Sequence, residues 1–118
     1  MATAVMVITP QGSLRRSIEM LITQAGFIVC PGVDHLGSFH HALDAAETPP
    51  NVLLVDYWLS RAQTIDFIKS LKRQGFAVIL MGTHFLGKDV ASAEGIGFLE
   101  KPFTKNDLAR AITSIKLK

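Results

Sequence analysis

The sequence is poor in the features that mark several classes of protein. It has one cysteine, Cys30, so neither an internal disulfide nor a cysteine-based zinc site can form. Such a chain fits a reducing compartment. Cys30 lies in an apolar run and reads as a small buried hydrophobe. No apolar run approaches the roughly 18 residues needed to span a membrane. The apolar start, Met1 to Thr9, has no basic flank and is followed at once by Pro10. It reads as a strand and not as a signal peptide. A cytoplasmic location without membrane contact is the resulting expectation. Basic residues exceed acidic ones only slightly, 12 against 10. They are scattered, from Arg15-Arg16 through Lys69, Lys72-Arg73, Lys101 and Lys105 to Arg110. Without a clustered basic face, nucleic-acid binding by this domain alone is not expected.

What is present points to one packed domain over residues 1–118. Hydrophobic residues make up 48% of the chain and charged ones 19%, which is enough to fill a core. Short apolar runs recur at Ala4 to Thr9, Phe27 to Cys30, Asn51 to Asp56, Phe76 to Met81 and Gly95 to Leu99. Successive residues within them are apolar, as in Leu53-Leu54-Val55, the texture of strands buried on both faces. Between the runs lie stripes at helical spacing: Leu14, Ile18, Leu21 and Ile22; Phe39, Ala42, Leu43 and Ala46; Ile65, Ile68 and Leu71; Leu108, Ile112 and Ile115. Gly26 and Gly75 sit where helix C-caps want a left-handed residue, and Pro49-Pro50 closes the second helix. Thr104 with Asp107 resembles a capping box. The fourth helix, bracketed by Gly87 and Gly95, has room for about two turns. The order is strand–helix five times, which implies an α/β fold with right-handed crossovers and a doubly wound parallel sheet.

In such sheets ligands bind at the carboxyl ends of the strands. There the sequence places Thr9-Pro10 after the first strand, Asp56 after the third, Gly82-Thr83 after the fourth and Lys101-Pro102-Phe103 after the fifth. An acid on the central strand and a lysine on an outer one would meet above the sheet. By themselves they are either a structural ion pair or a functional site. The first strand–helix turn, Thr9-Pro10-Gln11-Gly12-Ser13, has one glycine and no lysine, so neither phosphate-cradling pattern is present. A flavodoxin-like binder of a nucleotide or flavin is therefore a remote alternative. No Gly-x-Ser-x-Gly elbow occurs, and no enzyme activity is expected. The histidines His35, His40, His41 and His84 lack metal-pair spacing and read as solvated positions.

The stretch Val52-Leu53-Leu54-Val55-Asp56-Tyr57-Trp58-Leu59 resembles the third strand of response-regulator receiver domains, which ends in the phosphoacceptor aspartate. Gly97-Phe98-Leu99-Glu100-Lys101-Pro102-Phe103 resembles their fifth strand, with its lysine and a proline usually reached through a cis peptide. The resemblance spans the chain in element order. It implies a flavodoxin/CheY-like strand order of 2-1-3-4-5, with Asp56 and Lys101 as site residues and Phe98 as the switch aromatic. The switch hydroxyl position falls on Gly82 by direct count and on Thr83 after a one-residue slip. Trp58 would overhang the site. The implied partners are proteins: a histidine kinase, an output domain, another regulator or a second copy of the chain.

One departure changes these expectations. Receivers place two acids directly after strand one; counting back from Leu14-Arg15-Arg16 puts Thr9 and Pro10 there. Mg²⁺ wants oxygen ligands, usually carboxylates with phosphate and water, and only Asp56 of the three acids remains. Asp34 and Glu100 are remote substitutes, Glu100 because strand alternation turns it away from Lys101. The expectation is an atypical receiver in phosphorelay signalling that works mainly through protein contact, with Mg²⁺ weakly held at best and little phosphorylation at Asp56. A still-phosphorylatable receiver is the alternative.

Overall fold

The computed structural model describes residues 3–34, 38–57, 60–83 and 87–115. Five strands, β1 (Ala4–Ile8), β2 (Ile28–Val33), β3 (Val52–Asp56), β4 (Ala77–Gly82) and β5 (Gly97–Glu100), alternate with five helices, α1 (Gly12–Gln24), α2 (Phe39–Ala45), α3 (Arg61–Arg73), α4 (Lys88–Glu94) and α5 (Lys105–Ser114). The strands form one sheet in the order β2-β1-β3-β4-β5, and every pairing is parallel. This is the α/β fold and strand order expected above.

The apolar runs are continuous because both faces of the sheet are covered. Every residue of β1 and β3 is buried. Alternate side chains divide between two cores. Met6, Ile8, Leu53, Val55 and Leu80 pack with Phe39, Ile68, Leu71 and Val90 of α2, α3 and α4. Val5, Val7, Leu54, Ile79 and Met81 pack with Ile18, Ile22, Leu108 and Ile112 of α1 and α5. A fully buried aliphatic side chain contributes about 1.5–3 kcal/mol, so these two cores set the fold. In the first, the Phe39 ring meets Phe76 edge-on at 5.7 Å and Phe67 at 6.1 Å, the geometry aromatic quadrupoles favour.

The helix ends follow local chemistry. Gly26 and Gly75 take φ of +91° and +90°. Two capping boxes start α3 and α5: Ser60 with Gln63, and Thr104 with Asp107. Hydrogen bonding to Thr104, first from its backbone N–H, and then the Arg110 guanidinium hold the Asp107 carboxyl below its ordinary value. Strand β2 runs beyond Cys30, through Pro31 to Val33. A proline fits there because β2 is an edge strand. The register also slips by one residue, from Met6↔Cys30 to Ile8↔Val33, so Pro31 and Gly32 lie at a bulge. Strand β5 starts only at Gly97, because Gly95 at φ +67° still caps α4. Among the described residues no helix is long and apolar enough to cross a membrane.

Candidate functional site

The parallel strands deliver their carboxyl ends to one side of the sheet, and the polar residues of interest gather there. Asp56 ends β3 with 2% of its side chain exposed. Lys101 follows β5, and its ammonium donates to Asp56 Oδ1 while 27% of its side chain remains exposed. The Lys101–Pro102 peptide is cis, and the Lys101 N–H donates to the Gly82 carbonyl at 2.7 Å.

The other carboxylate oxygen is taken from β1. The Thr9 hydroxyl donates to Asp56 Oδ2 at 2.8 Å and accepts from the Gln11 N–H at 3.3 Å. Thr9 is completely buried. Sequence reasoning treats Thr9 only as a missing acid; the structure makes it a hydrogen-bond partner of Asp56. Pro10 is exposed. Each oxygen of Asp56 therefore has a protein donor, and among the described residues one cation, Lys101, pairs with it. Among the described residues no group of three or more His, Cys, Asp or Glu side chains is placed to hold a metal ion.

The remaining candidates fall around this triad. Gly82 is buried and ends β4 opposite Glu100, while Thr83 is exposed and forms a bridge with Gly87. The β4–β5 rungs run from Ile79↔Gly97 to Gly82↔Glu100. Phe98 is half-buried against the first core. Asp34 follows β2 and is exposed, as is Glu100. Trp58, His35 and His84 lie outside the described residues, and His40 and His41 are exposed on α2. Cys30 is buried, its thiol donating to the Thr48 carbonyl at 3.1 Å, and burial pushes its pKa up. An open cleft of about 550 Å³, lined in part by Lys72, Phe76, Ile96 and Ala111, lies at the amino ends of β4 and β5, the opposite end of the sheet from Asp56.

A parallel 2-1-3-4-5 sheet with an aspartate ending its central strand and a Lys-Pro pair after its last defines the receiver class. Protein PilG of Pseudomonas aeruginosa is 31% identical over 115 residues, which cover 92% of this chain and 83% of that protein. Solved structures share the fold. The chemotaxis response regulator CheY4 of Vibrio cholerae superposes with a TM-score of 0.73 at 18% identity, over 96% of this chain and 98% of that one. A response regulator receiver domain protein from Clostridium thermocellum gives 0.76 at 22% identity, over 94% and 91%. No family model matches the chain. The chain belongs to the response-regulator receiver family, the CheY-like domains of two-component signalling.

Proposed function

We propose that this receiver acts mainly through contact with a protein partner and takes little or no phosphate at Asp56. The observation that carries the reading is the engagement of both Asp56 oxygens by the Thr9 hydroxyl and the Lys101 ammonium. Phosphoryl transfer needs the attacking carboxylate free and the charge on the transferred group neutralised. Mg²⁺ supplies that neutralisation in receivers, and the residues present do not fit it. Its usual carboxylates are here a hydroxyl already donating to Asp56 and a proline ring without a ligand atom. Clustered carboxylates repel one another and favour a divalent ion; a lone carboxylate beside an ammonium has no such demand. The domain on this reading is not an enzyme and uses no cofactor. Its partner is a kinase, an output domain or another regulator, recognised through the surface the fold presents.

The second reading, a residual phosphoacceptor, is supported by the meeting of Asp56 with Lys101. One titration separates the two. Amide NMR spectra are recorded with Mg²⁺ and then with beryllofluoride, which stands in for a phosphoryl group on an aspartate. Unchanged amides of Asp56, Thr83 and Phe98 at millimolar Mg²⁺ are the expected result. Shifts at all three would reinstate phosphorylation at Asp56.

A further inference from the structure

Helix α4 has seven residues, Lys88–Glu94, too few to be stable alone. It is held at both ends. In its first turn the Asp89 carboxylate accepts from the Arg61 guanidinium, at the start of α3, at 2.5 Å. Hydrogen bonding from Arg61 is the first cause holding the Asp89 carboxyl below its ordinary value. At its last residue the Glu94 carbonyl accepts from the Lys72 ammonium, near the end of α3. The two contacts join the same pair of helices, from the first residue of α3 to its penultimate one. Just before α4, Gly87 is buried with φ +112°. A Cβ there would stand 3.2 Å from Leu80, Phe98 and Tyr57, so the chain enters α4 through a tight socket and a backbone conformation that favour glycine. Between these holds, Val90 and Ala91 are buried.

We infer that Arg61 and Lys72 clamp α4 along α3, so that the short helix is held as one unit against its neighbour. The clamped helix follows the strand that ends in Gly82 and begins against Tyr57, the residue after Asp56. Each of the two contacts is solvent-exposed, so each alone is weak; their placement at opposite ends makes them act on the whole helix.

Amide hydrogen exchange on the full chain tests the clamp. The reporters are the Ala91 N–H, bonded to the Gly87 carbonyl at 2.8 Å, and the Ile96 N–H, bonded to the Ala91 carbonyl at 3.0 Å. In R61A/K72A both are expected to exchange about three- to tenfold faster, with the β4 amides unchanged. Lys69→Ala, a change on the exposed face of α3, leaves all of them as they were. D89N, which weakens one end only, gives a smaller acceleration. Unchanged α4 rates in the double variant overturn the clamp. So does an equal acceleration of α4 and β4, since α4 would then open only with the whole domain. No beryllofluoride is present, so the result stands whichever way the Asp56 titration falls.

Discussion

Two strand ends meet Asp56 from opposite sides, and they meet it differently. From β5 comes Lys101, a full charge, with 27% of its side chain in water. From β1 comes Thr9, a neutral hydroxyl, completely buried. The β1 end carries Thr9 and Pro10; the β5 end carries Lys101, the cis Pro102 and Phe103. The difference shows how a charged site is made self-sufficient. A second carboxylate beside Asp56 would need a cation. A hydroxyl supplies a donor and no charge, so among the described residues it is Lys101 that balances the aspartate. Buried charge is tolerated only when paired and hydrogen-bonded, and each β-strand end meets one half of that requirement.

The largest break in this comparison is Lys101→Met. Asp56, 2% exposed, would be left without its cationic partner. Removing one partner of a buried pair costs about 3–5 kcal/mol; with Lys101 partly solvated, the lower end applies, about 3 kcal/mol. Urea unfolding should show the midpoint lowered with an unchanged m-value. A loss below about 1 kcal/mol would mean that the ammonium does little to stabilise Asp56.

Thr9→Val is the matching break at the other end. It keeps the shape and removes the hydroxyl, leaving Asp56 Oδ2 without the 2.8 Å donor and the Gln11 N–H without its 3.3 Å acceptor. An unsatisfied buried acceptor costs about 1–3 kcal/mol, part of it offset by the added methyl group, so about 1.5 kcal/mol is expected in the same unfolding experiment. Thr9→Ser, which keeps the oxygen, should recover most of this loss. If Ser and Val behaved alike, packing and not the hydrogen bond would be what Thr9 provides.

Much of the fold is legible in the sequence because its signals are local. Continuous apolar runs such as Leu53-Leu54-Val55 exist only where both sheet faces are covered, and Gly26 and Gly75 mark helix ends by a backbone conformation other residues avoid. Strand β2 runs past the end its apolar pattern marks, because Pro31 normally ends a strand; its edge position and bulge are tertiary facts. Asp56 and Lys101 are legible through a motif. The role of Thr9 is not, since its bond to Asp56 joins residues 47 apart and nothing in a threonine's neighbours announces a partner. The pair Arg61–Asp89, 28 residues apart, likewise reads as two solvated charges until α3 and α4 are set side by side. The Ser60–Gln63 capping box, by contrast, follows a local spacing rule and is open to a closer reading of the sequence.

The smallest effect, and the one that sharpens the asymmetry most, is Asp56→Asn. Here the charge left behind is the lysine. Its side chain is 27% exposed, and long basic side chains readily reorient to hydrate their charge. The amide oxygen of the introduced asparagine can still accept from Thr9. The expected cost is therefore about 1 kcal/mol or less, well under that of Lys101→Met, although both substitutions break the same ion pair. The inequality arises because the cost of a broken pair falls on whichever partner cannot reach water. Measuring both variants in one series of urea curves decides it. Equal losses would mean that Lys101 is as confined as Asp56, and that the β5 end of the site is as closed as the β1 end.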